Sequence, residues 1–125
     1  MSDRSFSEWQ EVLFDASVPF ENKAVDVFRY QFENQPVYRR FCESIGVHEP
    51  GSAIPLIPIE VFRDVMVKAA GGRPPEAVFQ SSGTTGTLRS RHEIADLSLY
   101  HRSCYLGFST WYPPDTSVLM AYLPG

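Results

Sequence analysis

Cysteine is scarce in this chain: only Cys42 and Cys104 occur, and no set of Cys and His around them makes up a zinc motif. Two reduced thiols, each a small hydrophobe on a predicted helix, fit better than a disulfide framework or a zinc site. No stretch reaches the about eighteen consecutive apolar residues that a membrane-spanning helix needs, and Met1–Glu8 has no apolar core of a secretory leader. These absences lead to the expectation of a cytoplasmic protein without a membrane span. Basic clusters are missing too. The formal charge is −4 and the Lys and Arg are scattered, which excludes the electrostatic footprint of a nucleic-acid binder. Disorder is excluded from the other side, because 43% apolar and 14% aromatic residues in 125 can build a core.

What the chain does have is Phe79-Gln80-Ser81-Ser82-Gly83-Thr84-Thr85-Gly86, a β-prone stretch entering a run of hydroxyls and glycines. Glycine lets backbone N–H groups approach an anion closely, and Ser and Thr hydroxyls donate to phosphate oxygens or ligate a hard cation. A polar surface turn has a similar composition. Six consecutive small residues without Asp, Asn or Pro are unusual for a plain turn, however, and Arg89 and Arg91 follow with guanidinium forks suited to phosphate. No Lys lies near the loop, so it is not a Walker A motif, and no dinucleotide fingerprint is present.

The pattern before residue 73 is helical. Ser5 and Glu8 make a capping box ahead of Trp9, Val12 and Leu13. Phe20, Ala24, Val27, Phe28 and Phe32 mark a second helix, with Glu21, Asp26 and Arg29 facing outward. Pro36 opens a third that carries Val37, Tyr38, Phe41 and Ile45 to a stop at Gly46. Ile54-Pro55-Leu56-Ile57-Pro58 must be extended or turning, because residues before proline avoid the α region. Pro58 then introduces a short helix over Ile59 to Asp64, and Gly71-Gly72-Arg73-Pro74-Pro75 reads as a surface turn.

Beyond that break the spacing predicts strands at Val78 to Ser81 and Ser90 to Ile94, on either side of the Ser-Gly-Thr loop. A helix with an apolar face of Leu97, Tyr100, Cys104, Phe108 and Trp111 follows, with Asp96 as its N-cap. Val118 to Leu123 is continuously apolar, as in a strand covered on both faces. The expected division is a helical region, 1–72, and the start of an α/β core, 73–125, together one structural unit. Such a strand needs more sheet than these residues supply, so the sequence is expected to be part of a longer enzyme or to be completed by another chain.

The motif at 79–86 resembles the phosphate-binding motif of the adenylate-forming superfamily, which includes acyl-CoA synthetases, nonribosomal-peptide adenylation domains and luciferases. The continuation Ser90-Arg91-His92 with Asp96-Leu97-Ser98-Leu99-Tyr100 is similar to the LuxE-type acyl-protein synthetases in particular. So are Val27-Phe28-Arg29-Tyr30-Gln31, Pro36-Val37-Tyr38, Ile54 to Phe62 and Leu119 to Gly125. The resemblance runs from about residue 20 onward and corresponds to the N-terminal third or so of a family member. It departs from the superfamily at Leu88, Arg89 and Ser90, where the wider pattern has Pro-Lys-Gly, which leaves open whether Arg89 or Arg91 replaces the lysine.

This resemblance implies an α/β fold, in which a helical segment precedes part of the mixed β-sheet of an adenylate-forming N-terminal domain. It implies ATP-dependent activation of a carboxylic acid, a fatty acid in the LuxE type, followed by transfer of the acyl group to a thiol. Ser81, Ser82, Gly83, Thr84, Thr85, Gly86, Arg89 and Arg91 would hold the nucleotide phosphates, with Thr84 or Thr85 touching Mg²⁺, and His92 is a candidate substrate contact. A hydrogen-bonded strand histidine is the competing reading of His92. The resemblance places no catalytic residue within these 125, since the family's adenine, ribose, acidic metal and lysine motifs fall further along. ATP and the acid are the implied partners, the acyl-accepting thiol is assigned to neither cysteine, and assembly as a homo-oligomer is compatible with all of this. A competing reading is a non-catalytic binding module that keeps an anion-binding loop on a truncated adenylation fold.

Overall fold

A computed structural model describes residues 4–51, 53–69, 72–81, 89–113 and 115. Its elements, in order, are α1 (Phe6–Phe14), α2 (Phe20–Asn34), α3 (Pro36–Ser44), α4 (Val61–Asp64), β1 (Ala77–Gln80), β2 (Arg91–Ile94) and α5 (Ser98–Trp111). The fold is thus mixed, with helices and a two-stranded antiparallel sheet. The apolar run Val118 to Leu123 lies outside the described residues.

Helix α1 begins as its sequence predicts. The Ser5 hydroxyl accepts from the Glu8 amide and the Glu8 carboxylate accepts from the Ser5 amide, closing the capping box. Its far end is finished by a residue from the next helix, since Lys23 Nζ donates to the carbonyls of Leu13 and Asp15 at 3.1 and 2.6 Å. A cation at the C-terminal carbonyls also complements the helix dipole. Trp9 packs edge-on against Tyr30 at 5.2 Å, and Arg4 pairs with Asp26 at 2.8 Å, so α1 is fastened to α2 at both polar and aromatic points.

A single residue separates α2 from α3. Pro36 pushes Gln35 out of the α region, to φ −114° and ψ 102°, and so breaks the helix there. Gln35 then serves both helices. Its amide N–H donates back to the Gln31 carbonyl at 2.8 Å, and its side-chain oxygen accepts from the Tyr38 amide at 2.6 Å. Arg39 adds a second tie by donating to the Phe32 and Glu33 carbonyls left open at the end of α2. Helix α3 ends in a Schellman motif. Val47 N–H returns to the Cys42 carbonyl, Gly46 N–H returns to that of Glu43, and Gly46 takes φ +73°, a conformation that costs glycine little.

The sharp α2–α3 turn makes the core. Phe28, Tyr38 and Cys42 are buried, the last at 0% exposure, and Phe32, Phe41, Val47, Ile54 and Ile57 pack against them. Phe28 stacks with Phe32 and meets Tyr38 edge-on. The extended segment expected from Ile54 to Pro58 closes one side, fixed by the Tyr38 hydroxyl donating to the Pro55 carbonyl at 2.7 Å. The helix expected over Ile59 to Asp64 is shorter, because Ile59 and Glu60 form a turn ahead of α4.

Helix α5 forms where the spacing predicts a helix. Its apolar face is open: none of its residues is buried, and Trp111 is 80% exposed. Periodicity reports that a face is apolar; it does not supply an element to cover it. Cys104, expected to be a buried hydrophobe, is exposed for the same reason. The helix is held at its N-terminal half. Gln10 donates to Ser98 Oγ at 2.7 Å, Arg102 lies over the Phe14 ring at 4.9 Å, and Tyr100 meets Phe79 at 5.1 Å. The Asp96 cap is displaced by one residue: Leu97 is the N-cap, and the Asp96 carboxylate instead accepts from the Ser98 amide and hydroxyl.

Two outcomes test this core. Phe28→Ala should destabilise the protein by about 3–5 kcal/mol, the usual cost of truncating a buried phenylalanine, read from a urea midpoint with unchanged slope. Burial pushes the Tyr38 phenol up to about 12. A group whose folded value lies above its unfolded one, about 10 for tyrosine, stabilises fully below the unfolded value and loses that contribution as pH rises through the folded one. Stability should therefore fall between about pH 10 and 12, and Tyr38→Phe should flatten that fall in alkaline unfolding curves.

Candidate functional site

The two strands that flank the Ser-Gly-Thr segment form the expected hairpin. Their register pairs Ala77 with Ile94, Val78 with Glu93, Phe79 with His92 and Gln80 with Arg91. Each strand is one residue shorter toward the loop than expected, although the backbone pairing continues one step further. Ser81 N–H donates to the Ser90 carbonyl at 3.1 Å, while Ser90 N–H donates to the Ser81 hydroxyl at 3.1 Å rather than to its carbonyl. The exchange of a carbonyl for a hydroxyl ends the regular ladder at this pair. Ser82, Gly83, Thr84, Thr85 and Gly86, with Thr87 and Leu88, lie outside the described residues.

Successive strand residues point to opposite faces, which separates two of the predicted contacts. Arg91 shares a face with Glu93, and His92 shares the other with Ile94. Arg91 is engaged with Glu93 at 3.1 Å, and Lys68 reaches the same carboxylate at 2.9 Å. Hydrogen bonding from Lys68 is the main influence holding the Glu93 carboxyl below its ordinary range, with Arg91 adding to it. Arg89 is exposed and has no ion-pair partner among the described residues. Of the two predicted phosphate arginines, Arg91 is tied to a carboxylate and Arg89 is not, among the described residues.

On the opposite face, the His92 ring lies against Phe62 of α4 at 5.1 Å and its Nε2 is 3.2 Å from the Ser90 hydroxyl. His92 is thus a half-buried, hydrogen-bonded strand histidine, and the structure brings Ser81, Ser90 and His92 together at the base of the loop. Ser90 and Phe62 are the site residues that sequence reasoning missed. Ser90 was legible only as part of a short motif, and Phe62 is brought in by a helix about thirty residues away in sequence.

An open groove of about 790 Å³ is lined by Arg4, Trp9, Asp26, Arg29, Tyr30 and Arg39 among others, and contains none of the predicted site residues. Its Arg4 and Arg39 already serve helix junctions. Among the described residues, no group of three or more His, Cys, Asp or Glu side chains is gathered to hold a metal ion. No described helix is long and apolar enough to cross a membrane.

The Lys68–Glu93–Arg91 cluster gives a pH signature. A carboxyl with a depressed folded value contributes stability above its unfolded value, about 4.3 for glutamate, and loses it as pH falls through the folded one. Lys68→Met should move the Glu93 titration to higher pH in carboxyl carbon NMR, and should shift the acid limb of the stability profile the same way.

No protein-family model matches this chain, and neither a curated protein nor a solved structure is detectably similar to it.

Proposed function

We propose that the chain is the phosphate-holding N-terminal portion of an ATP-dependent ligase that activates a carboxylic acid as an acyl-adenylate and passes the acyl group to a thiol, in the manner of LuxE-type acyl-protein synthetases. One observation carries this reading. Six consecutive residues that are all Ser, Thr or Gly, Ser81 to Gly86, lie in the connection of a hairpin closed by the Ser81–Ser90 pair, and Arg89, which follows closely in sequence, has no ion-pair partner among the described residues.

The donor set suits phosphate. Hydroxyls of Ser81, Ser82, Thr84 and Thr85 and the N–H groups of Gly83 and Gly86 would donate to the oxygens of ATP, and Arg89 would add a charge-assisted contact. Mg²⁺ would arrive on the phosphates, with Thr84 or Thr85 adding a hydroxyl or a bridging water, since no carboxylate cluster for it exists among the described residues. When bound there, such an ion would supply charge screening at the phosphates. This chain's part is to fix the phosphates and stabilise that charge with preorganised donors. Arg91 supports the strand through Glu93 instead. A fatty acid is the substrate that the LuxE-type resemblance favours, and the adenine, ribose and lysine contacts belong to parts of such a ligase outside these residues.

Isothermal titration of the whole chain tests the reading. ATP with Mg²⁺ should bind, and the Thr84→Ala, Thr85→Ala double variant should bind at least about tenfold more weakly, as expected for two lost hydrogen bonds to a charged group. Arg89→Ala should weaken binding more than Arg91→Ala. Equal affinity in the threonine double variant overturns the phosphate assignment.

A further inference from the structure

The apolar stripe of α5 has a symmetry of spacing. Leu97, Tyr100, Cys104, Phe108 and Trp111 are separated by 3, 4, 4 and 3 residues, so the stripe reads the same in either direction from Cys104. Such intervals place all five on one side of the helix. Tyr100, Cys104, Phe108 and Trp111 are exposed, and Tyr105 and Tyr112 widen the open surface along one flank. Arg102, on the opposite side of the helix, lies over Phe14 and so turns toward α1. Charge does not oppose a second copy at the stripe. Helix α5 contains no acidic residue, and of its two basic ones only His101 borders the aromatic surface.

We propose that this face is a self-association surface, on which two copies of the chain pack α5 against α5 in antiparallel order about a twofold axis through Cys104. The palindromic spacing makes the stripe complementary to itself, as a twofold interface requires. Tyr100 then meets the second copy's Phe108, and Leu97 meets its Trp111, so a ring faces an apolar side chain at every step. The exposed parts of Tyr100, Tyr105, Phe108, Trp111 and Tyr112 amount to about 400–700 Å² per copy, taking about 150–250 Å² for a whole aromatic side chain. Two copies together cover about 1,000 Å², the size at which a specific interface stands apart from a chance contact. The centre of the stripe is also its least bulky point. Cys104 is small, and Gly107 one turn on has open space where a side chain would stand, which lets the helix axes approach to about 10 Å. Facing Cα atoms of the two Cys104 residues are then about 5–6 Å apart, within the span of a disulfide. Self-association through α5 is independent of the phosphate assignment above.

Sedimentation equilibrium of the whole chain, kept reduced, tests the interface. Dimer should form within about 5–500 µM, the range of a transient contact of this size. Trp111→Glu should raise the dissociation constant at least about tenfold, as the loss of an aromatic anchor does. Because Trp111 is exposed and is the last residue of α5, that substitution leaves the core untouched. Diamide, which takes up the two electrons and two protons given up by a pair of thiols, should join Cys104 to its counterpart in the second copy. Cys104→Ser should abolish the link, since Cys42 is buried. At equal concentration the rate of linking should fall about tenfold in Trp111→Glu, in step with the dimer population. A monomer throughout the concentration range, or linking at an unchanged rate in Trp111→Glu, overturns the self-association. So does an unsubstituted chain that stays monomeric yet binds phosphatidylcholine vesicles, which assigns the stripe to a lipid surface instead.

Discussion

Pro36 does not allow Gln35 to remain helical, and the helical half of the protein depends on that restriction. A continuous helix from Phe20 to Ser44 would place Phe28 and Tyr38 far apart along one rod. The break at Gln35 folds the rod back, and both residues reach a shared interior with Cys42. The break also opens backbone groups at two helix ends. Gln35 and Arg39 close several of them, so the turn is made rigid by side chains within four residues of the proline.

The hairpin follows a different logic. Its connection is rich in glycine and hydroxyls, which carry little packing energy, and its strands are only four residues long. Short ribbons of this kind are marginal by themselves. Here the two strands are braced by rings on one face, Phe62 and Tyr100, and by a shared carboxylate on the other, Glu93. The bracing lies at the base of the connection. A loop that is to hold an anion can stay free of bulky side chains when rigidity is supplied from its flanks.

Local chemistry was legible from the residues alone. The capping box of Ser5 and Glu8, the start at Pro36, the stop at Gly46 and the extended proline segment all follow from backbone preferences that act over four or five residues. The hairpin was legible for the same reason. Long-range ties were not. Lys23 capping α1, Tyr38 reaching Pro55 and Phe62 seating His92 depend on where separate elements meet, and no periodicity encodes that. The apolar stripe of α5 was legible as a stripe, and only the structure shows that none of its residues is buried. Strand alternation could have shown that Arg91 and His92 face apart, whereas the Glu93 that occupies Arg91 became evident only with Lys68 beside it. The identity of the fold as an adenylate-forming domain remains a proposal drawn from the motif.

The hydrogen bond from Gln10 to Ser98 joins residues 88 positions apart. Together with Arg102 over Phe14, it makes the first helix of the chain a partner of the last one described. Contacts of such high contact order form late, because the entropy of closing so long a loop must be met before they reward the chain. During synthesis, which runs from the N-terminus at about 5–20 residues per second, α1 can settle Trp9 against Tyr30 early but must wait for α5 to emerge. The order of assembly is therefore written into the geometry: the α2–α3 turn can close first from neighbours in sequence, and α1 is fully secured only after the hairpin and its serines are in place.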